Sequence, residues 1–415
     1  MAALALMTAA CSNDDNEFAQ QPQQADGIPF TATISIDNGA TTRAITENGT
    51  TLETSWAAGE KVALIHNGVK DEMTVSSVSG GVATITGSIT GSPSGNDDVT
   101  IIYPSSAADG TTGNIKSDLL AAQDGTLTGT SGTSIAEKYD VRKGTGKLNA
   151  TGSSLSGTVT LTNQNAIFKL TLKDIDGSND VSAASVKIYD QANTLLTTVT
   201  PASGYEKVMY VALPTTATTL KFAVTDGTTN YFNMASSLSL AANYYQSTIK
   251  LATVGDVILS SGKCAKAGTS GAVAMIAYLG NGSDCTNGLA IQLNSSPEYK
   301  TWSEAGTYAT GLNTSNSIPG GTWRLPTKAD WQNMFVGCAV SGDASASDYM
   351  NPIAGFKAKI AATSTTWRSS YYWSSTPSGS YAWDVYVYLG GSGAYADFDE
   401  DDTSFTNDVL GCLAF

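Results

Sequence analysis

The sequence has little of what most catalytic and nucleic-acid-binding sites require. It contains a single histidine, His66, and only 14% charged residues. It has no nucleophile motif and no carboxylate pair in an apolar context, so we expect neither an enzyme nor a cofactor. Lysine and arginine total 22 against 37 acidic residues, a net charge of -15, with no basic cluster. A phosphate-binding surface needs clustered basic residues, so nucleic acid is not an expected partner.

Cysteine is also scarce, and no CxxC pair occurs, so a zinc site is not expected. Apart from Cys11, four cysteines remain, all in the last 40% of the chain: Cys264, Cys285, Cys338 and Cys412. In an oxidising compartment an even count indicates up to two disulfides with three connectivities. We favour Cys264 with Cys285 and Cys338 with Cys412.

The N-terminus carries a short apolar run, and no later run is long enough to span a bilayer. MAALALMTAAC resembles the end of a bacterial lipoprotein signal, which implies lipid modification of Cys11. The following SNDDNE is similar to the signal that sends such lipoproteins to the outer face of the outer membrane. A soluble secreted protein with a degenerate signal is the alternative. The chain would meet a membrane only through this lipid, before maturation.

What the sequence does have is strand-forming patterns. It contains 41 glycines and few helix formers, which favours a mostly β protein of two or three domains. Two series of strand-like runs, at the spacing of a sandwich, occupy the first 252 residues. A step in tryptophan and cysteine content near Thr253 marks a further boundary. We therefore predict a signal and flexible tether at 1–27, β-sandwich lobes at 28–155 and 156–252, and an α+β domain at 253–415.

Two helices are expected in the last domain. Thr327 and Asp330 have the spacing of a capping box, and a helical apolar face follows at Trp331, Met334, Phe335 and Cys338. A weaker helix is expected over 351–362.

An aromatic and acidic strand pattern lies near the C-terminus. Trp383, Val385, Val387 and Leu389 alternate with polar and aromatic residues, so a strand would bury one set and expose the other. Tyrosine is frequent on recognition surfaces. We expect the following residues to bind a ligand: Tyr381, Asp384, Tyr386, Tyr388, Tyr395, Asp397 and Asp399. The acidic run at 397–402 is interpreted as a solvated loop in preference to a calcium site.

Residues 28–252 contain the motifs IPFTATI, TTRA at 41–44, SWAAGEKVALIHN, IIYP and NQNAIFKLTL. This set of motifs resembles the fimbrillin family, the pilus subunits of Bacteroidales-type (type V) pili. It implies two transthyretin-like sandwiches, cleavage between Arg43 and Ala44, and donor-strand exchange with other pilus subunits. The alternative is that Arg43 is an ordinary exposed loop residue.

Residues 255–415 contain the motifs GDVILSSGK, GLAIQLN, TWRLPTKADW, YYWSSTPSGSYAW and VLGCLAF. This set of motifs resembles a C-type-lectin-like module. It implies that five residues belong to the core: Trp323, Leu325, Trp331, Trp373 and Trp383. The calcium-dependent sugar motifs of animal C-type lectins are missing, so the resemblance does not establish carbohydrate binding. The tyrosine and aspartate positions are also compatible with the variable proteins of diversity-generating retroelements.

Together these features predict a cell-surface pilus tip adhesin that is first made as an outer-membrane lipoprotein precursor. VLGCLAF is expected to be an internal strand, unavailable for donation to another subunit. The ligand would be a host or bacterial surface protein or a glycan. The alternatives are a non-polymerising surface lipoprotein that binds glycans or proteins, and a stalk subunit.

Overall fold

The computed structural model describes residues 27–36, 39–40, 46–129, 133–234, 240–280, 288–294, 299–365, 367–391 and 393–415. Over these residues the chain is mostly β, with two β lobes followed by an α+β domain, as the sequence predicts. None of the described helices is long and apolar enough to cross a membrane. Cys11, Arg43, Ala44 and Cys285 lie outside the described residues.

The first lobe is a ring of seven strands. The strands before residue 164 are β1 Ile28–Ile36, β2 Gly39–Ala40, β3 Thr46–Asn48, β4 Thr51–Ser55, β5 Lys61–His66, β6 Val69–Ser79, β7 Val82–Ile89, β8 Asp98–Tyr103, β9 Ala122–Gln123, β10 Arg142–Lys147 and β11 Val159–Asn163. The order β1-β11-β10-β8-β5-β6-β7 closes on itself because β1 pairs with both β7 and β11. Strands β2, β4 and β3 form a separate small sheet.

The second lobe is a sandwich of two sheets. Its strands are β12 Asn165–Asp174, β13 Ser185–Tyr189, β14 Leu195–Val199, β15 Val208–Pro214, β16 Lys221–Thr225, β17 Asn230–Met234 and β18 Tyr244–Leu251. One sheet has the order β15-β12-β18 and the other β17-β16-β13-β14-β9. A common apolar core fills the space between them, with Leu170, Ile188 and Phe222 at its centre.

The C-terminal domain combines two sheets with three helices. Its elements are β19 Val257–Leu259, β20 Cys264–Ala265, β21 Ala272–Tyr278, β22 Leu289–Gln292, α1 Trp302–Ser315, β23 Thr322–Arg324, α2 Lys328–Gly337, β24 Tyr349–Met350, α3 Ala354–Ala362, β25 Ser370–Ser378, β26 Tyr381–Tyr388, β27 Tyr395–Asp402 and β28 Cys412–Ala414. The six-stranded sheet has the order β20-β19-β21-β22-β28-β23, so β28 is internal as predicted. The four-stranded sheet has the order β24-β27-β26-β25.

Period-two burial is clear in β1, the first strand of this lobe. In β1 the side chains of Phe30, Ala32, Ile34 and Ile36 are buried and enter the lobe's core, while the residues between them are more exposed. The pairing of β11 with β1 and β10 carries this lobe beyond residue 155, where the sequence placed its end. The first lobe therefore ends at Asn163, two residues before β12 begins.

Apolar contacts join the three units. Ile65 and Tyr139 of the first lobe share a cluster with Ile167 and Ala212 of the second. Phe232 of the second lobe lies against Phe415 of the C-terminal domain, with 4.3 Å between ring centroids. The C-terminal domain is therefore built directly onto the second lobe.

The predicted helix over α2 forms, with its capping box. Thr327 Oγ1 accepts from the Asp330 amide, Asp330 accepts from the Thr327 amide, and Trp331, Met334 and Phe335 are buried. The weaker helix forms as α3. The sequence analysis missed α1, whose glycines and threonines lower its helix propensity. Its capping box, Thr301 with Glu304, is the signal that identifies it.

The predicted Cys338–Cys412 disulfide is not present. Both residues are free thiols with no exposed surface. Cys338 Sγ donates to the Ala277 carbonyl at 3.5 Å, and Cys412 lies in β28 between β22 and β23. Burial raises the pKa of each thiol to about 12. Cys264 is also free in the structure.

Candidate ligand-binding surface

The four-stranded sheet has one buried face and one face that is only half covered. On the buried face, Val385, Val387 and Phe398 pack against α2 and α3 through Phe335 and Phe356. On the other face, Ala382 of β26 and Trp373 of β25 share a cluster with residues of α1. This helix covers one end of the sheet and leaves the other end open to solvent.

Five tyrosines and one aspartate occupy the open end, and we call them the tyrosine surface: Tyr349, Tyr371, Tyr386, Tyr388, Tyr395 and Asp397. Each of the four strands contributes. Tyr371 pairs with Tyr386, and Tyr388 pairs with Tyr395, across neighbouring strands. Asp397 of β27 pairs with Tyr386 on one side and with Tyr349 on the other. Directly paired residues of a sheet project to the same face, so the set forms one continuous patch.

The rings of the tyrosine surface contact one another. The centroid of Tyr371 is 4.7 Å from that of Tyr386, and Tyr388 stacks on Tyr395 at 5.2 Å. Tyr395 also lies 5.7 Å from Tyr349 and 5.9 Å from Tyr386. These separations are those of stabilising aromatic pairs. The rings therefore hold one another in place before any ligand arrives.

The tyrosine surface remains open despite these contacts. Tyr349 is 54% exposed and Tyr371 is 49% exposed, while Tyr386, Tyr388 and Tyr395 are half-buried. Partial burial, followed by the charge of Asp384, raises the pKa of Tyr371. Partial burial and the adjacent Tyr386 raise the pKa of Tyr395. These two phenols therefore stay protonated at neutral pH and are available as hydrogen-bond donors.

The acidic run at 397–402 is part of strand β27 and not the loop that the sequence predicts. Asp397 and the exposed Asp399 continue the surface, with the half-buried Asp401 beyond them. Glu400 and Asp402 are exposed on the opposite face, because they pair with Trp383 and Tyr381. Of these, Asp397 and Asp399 are the two that the sequence predicts as ligand-binding residues, and both face solvent. In the part of the chain that the structure describes, no group of three or more His, Cys, Asp or Glu side chains is arranged to hold a metal ion.

Asp384 is not on the open surface, which corrects the prediction. It lies on the same side of β26 as Tyr386, but only 1% of its surface is exposed. Its Oδ2 accepts from Asn407 Nδ2 at 2.9 Å, and its Oδ1 has no hydrogen-bond partner among the described residues. Burial, followed by the charges of Asp401 and Asp399, raises the pKa of Asp384 to about 7. The segment that contains Asn407 covers this half of the strand.

Tyr381 is exposed as predicted but lies away from the other tyrosines. It begins β26 and pairs with Asp402, whereas Tyr388 ends the same strand. Seven residues of extended chain separate the two by about 23 Å. The structure therefore brings together Tyr386, Tyr388, Tyr395 and Asp397 and leaves Tyr381 at the opposite end of the sheet.

Two members of the tyrosine surface were missed by the sequence analysis. Tyr371 is exposed, but Tyr372, Trp373 and Ser374 after it are all buried, so β25 shows no period-two pattern that would identify it. Tyr349 lies in a two-residue strand, which is too short to show any periodicity. Only the pairing of β24 with β27 brings it to the surface.

Trp383, predicted as a core residue, is half-buried. It lies at the edge of the buried face, where the ammonium of Lys328 lies 3.1 Å from its ring centroid. Lys328 also forms an ion pair with Asp348 at 2.7 Å. Trp323, Leu325, Trp331 and Trp373 are buried as predicted.

A second polar cluster lies between the two β lobes, just after the predicted cleavage position. Glu47 of β3 accepts from Lys169 Nζ at 2.7 and 2.8 Å and from Tyr210 Oη at 2.7 Å. Tyr244 Oη and Gln246 Nε2 donate to it at 3.0 Å each. The hydrogen bond from Lys169, followed by that from Tyr210, lowers the pKa of Glu47. This cluster ties β3 to the second lobe.

No protein-family model matches this sequence, and no curated protein matches it. Among solved structures, the chain is similar to a fimbrial protein from Bacteroides ovatus, with 13% identity and a TM-score of 0.32 over 94% of this chain and 99% of that one. It is also similar to a fimbrial assembly protein from Parabacteroides distasonis, with 13% identity and a TM-score of 0.29 over 54% of this chain and 90% of that one.

The shaft pilin of Lactobacillus rhamnosus GG is 10% identical, with a TM-score of 0.23 over 55% of this chain and 99% of that one. With TM-scores this low, these likenesses carry no argument about function.

Proposed function

We propose that this chain is an adhesive pilus subunit of the bacterial cell surface. It loses its N-terminal strand by cleavage at Arg43, accepts a donor strand from a neighbouring subunit in the vacated groove, and binds a ligand on the tyrosine surface. The observation that carries the proposal is the position of β1, which closes the first lobe and lies upstream of Arg43.

Strand β1 is held in a way that another strand can reproduce. It pairs antiparallel with β7 over eight residue pairs and parallel with β11 at Ile34, Ser35 and Ile36. Its alternate side chains, from Phe30 to Ile36, enter the core of the lobe. Strand addition uses the same two elements, main-chain hydrogen bonds and alternate side-chain pockets. Removal of β1 would expose the edges of β7 and β11, which a donor strand would then cover.

The chain after Arg43 stays attached in this proposal. Glu47 follows the cleavage position by four residues, and its contacts with Lys169, Tyr210 and Tyr244 hold β3 on the second lobe. Cleavage would therefore release β1 without releasing the new N-terminus.

The position of the C-terminal domain supports a place at the pilus tip. This domain follows the two β lobes and carries the tyrosine surface. Its strand β28 pairs with β22 on one side and β23 on the other, so it is not itself available as a donor strand. Ligand binding and polymerisation would then use different parts of the molecule.

Limited proteolysis of the purified full chain tests the groove. The other three arginines form ion pairs in the folded protein, Arg142 with Asp140, Arg324 with Asp330 and Arg368 with Asp408, so an arginine-specific protease should select Arg43. The cleaved protein should then take up a fluorescent peptide with the β1 sequence IPFTATISI. A peptide with aspartate in place of Phe30 and Ile34 should not bind, because a buried unpaired charge is strongly unfavourable.

The Arg43→Gln variant is the matched control, since it keeps β1 covalently attached. It should resist cleavage and take up no peptide. Equal peptide uptake by this variant, or no uptake by the cleaved protein, would contradict the proposal that cleavage opens a groove for a donor strand. Either result would favour the non-polymerising surface lipoprotein.

A further inference from the structure

We propose that the tyrosine surface binds a cationic segment of a partner protein, with an arginine side chain seated on Asp397 between the rings of Tyr349 and Tyr386. The inference rests on the ligand-binding half of the proposed function and adds the chemistry of the partner. It does not depend on cleavage or on strand exchange.

The first argument is the arrangement of rings around one carboxylate. Asp397 pairs directly with Tyr349 and Tyr386, and Tyr395 precedes it by two residues on the same face of β27. The ring of Tyr395 contacts the rings of both flanking tyrosines. A carboxylate bordered by three rings fits a guanidinium, which can donate to the carboxylate in a bidentate manner while its plane lies against an aromatic face.

The second argument is that, among the residues that the structure describes, no lysine or arginine neutralises the carboxylates of the tyrosine surface. From Ser374 to the last residue of the sequence there is no lysine or arginine, while there are seven acidic residues. The basic side chains at the margin are engaged elsewhere: Lys328 with Asp348, Arg368 with Asp408, and Lys357 with the Gly391 carbonyl at 2.8 Å. Within the described part of the chain, Asp397 and Asp399 form no ion pair.

The third argument is a buried carboxyl group next to the open surface. Asp384 lies two residues from Tyr386 on the same side of β26 and pairs with Asp399 of β27. Its Oδ1 has no hydrogen-bond partner among the described residues, and only 1% of the residue's surface is exposed. Within the described residues, Asp384 forms no ion pair. Because burial raises the pKa of Asp384 to about 7, this group carries only part of a negative charge near neutral pH, which adds to the charges of Asp397 and Asp399 on the surface.

Charge also decides between partner classes. Anionic ligands, including sulfated or sialylated glycans and phosphorylated segments, would be repelled by Asp397, Asp399 and their neighbours. Neutral glycans can stack on tyrosine, but they would leave the carboxylates of Asp397 and Asp399 without an opposite charge. Complementarity therefore favours a basic protein segment, and a neutral glycan becomes an outcome of the test.

The test uses the full chain and short peptides of known charge, with binding followed by calorimetry. The probes are a Gly/Ser peptide with three arginines, the same peptide with citrulline in place of arginine, the same peptide with glutamate, and a neutral oligosaccharide such as maltohexaose. Citrulline preserves the shape of arginine and removes the charge. We expect the arginine peptide to bind, to bind more weakly at high salt, and to bind at least about tenfold more tightly than the citrulline peptide.

Two variants and one matched control locate the binding. Asp397→Asn keeps the shape of the side chain, and it should weaken binding of the arginine peptide by about tenfold, because a charge-assisted hydrogen bond is lost. Tyr349→Ser, at an exposed position, should weaken it by about threefold to tenfold through the loss of one ring. Asp118→Asn removes an exposed carboxylate from the first lobe and should change nothing.

Three outcomes would overturn the inference: equal binding of the arginine and citrulline peptides, unchanged binding by Asp397→Asn, or an equal loss in Asp118→Asn. Binding of maltohexaose alone, with loss in Tyr349→Ser, would also overturn it and would identify a glycan ligand. In that last case the ligand-binding half of the proposed function stands. Unchanged thermal unfolding of each variant confirms that the comparison is made between folded proteins.

Discussion

Glu47 and Lys169 form a two-point contact between β3 and the second lobe, with the lysine ammonium 2.7 and 2.8 Å from the two carboxylate oxygens. Both side chains are half-buried, with 22% and 28% of their surfaces exposed. Three further donors, from Tyr210, Tyr244 and Gln246, complete the site. The contact lies just downstream of Arg43, so it fixes the chain that would become the new N-terminus.

A double-mutant cycle with Glu47→Gln and Lys169→Met measures this contact. We expect a coupling of about 1 kcal/mol in the free energy of unfolding, because the pair is partly buried and shares donors with a network. The matched control is the exposed pair Asp98 and Lys147, whose coupling should be close to zero. Urea unfolding measures all these variants. Equal coupling at the two pairs would show that Glu47 has no special role in holding β3.

The two faces of β26 should respond differently to truncation. Tyr386→Ala and Tyr388→Ala remove half-buried rings and should each cost about 1 kcal/mol of stability, mainly through lost ring contacts. Val385→Ala, on the buried face of the same strand, should cost about 2 kcal/mol or more because it opens a cavity. The tyrosine variants should lose ligand binding and the valine variant should retain it. Thermal unfolding measures the stability of the variants, and a binding assay measures their affinity. A larger loss of stability in the tyrosine variants than in the valine variant would show that the tyrosines belong to the core.

Ionisation of the buried Asp384 should lower the free energy of unfolding as pH rises through the acid range. Its pKa is raised to about 7 in the folded state, mainly by burial, against an ordinary value near 3.8. Between these two values the folded state holds a proton that the unfolded state has lost. Stability therefore falls with rising pH across this window, by at most about 1.4 kcal/mol per pH unit, and the loss is complete above the folded-state pKa.

The Asp384→Asn variant isolates this effect. It removes the titrating group and keeps a partner for Asn407, so it should be more stable than the parent at pH 8 and should show a flatter profile between pH 4 and 7. Urea unfolding across this range gives the comparison. A profile that is unchanged by the substitution would show that Asp384 ionises normally.

The buried thiols give a further check. Burial raises the pKa of Cys338 and Cys412 to about 12, so neither should react with iodoacetamide in the native protein. Both should react after unfolding, and the intact mass of the protein should then increase by one carboxamidomethyl group for each of these thiols. A reducing agent should leave the melting temperature unchanged. A large decrease on reduction would instead support the disulfide that the sequence analysis favoured.

The strands could be predicted from the sequence because their information is local. The alternation of buried and exposed residues in β1 is visible in IPFTATISI, and the capping box of α2 is visible in the spacing of Thr327 and Asp330. These features depend on residues within one element. They were therefore found without knowledge of the neighbouring elements.

The candidate site could be predicted only in part, because it also depends on what covers each strand. The pattern of β26 correctly places Asp384 and Tyr386 on one face, but it does not show that the segment around Asn407 covers Asp384 and leaves Tyr386 open. Tyr349 reaches the surface through a pairing with Asp397 that is distant in sequence. Such contacts are set by the packing of separate elements and have no local signal.

The N-terminus of the protein in assembled surface fibres tests the central claim most directly. Mass spectrometry of fibres released from the cell surface identifies this terminus. The proposed function predicts that the mature chain begins at Ala44 and that β1 is absent from the fibre. A chain that retains a lipidated Cys11 and an attached β1 in the assembled fibre would contradict it.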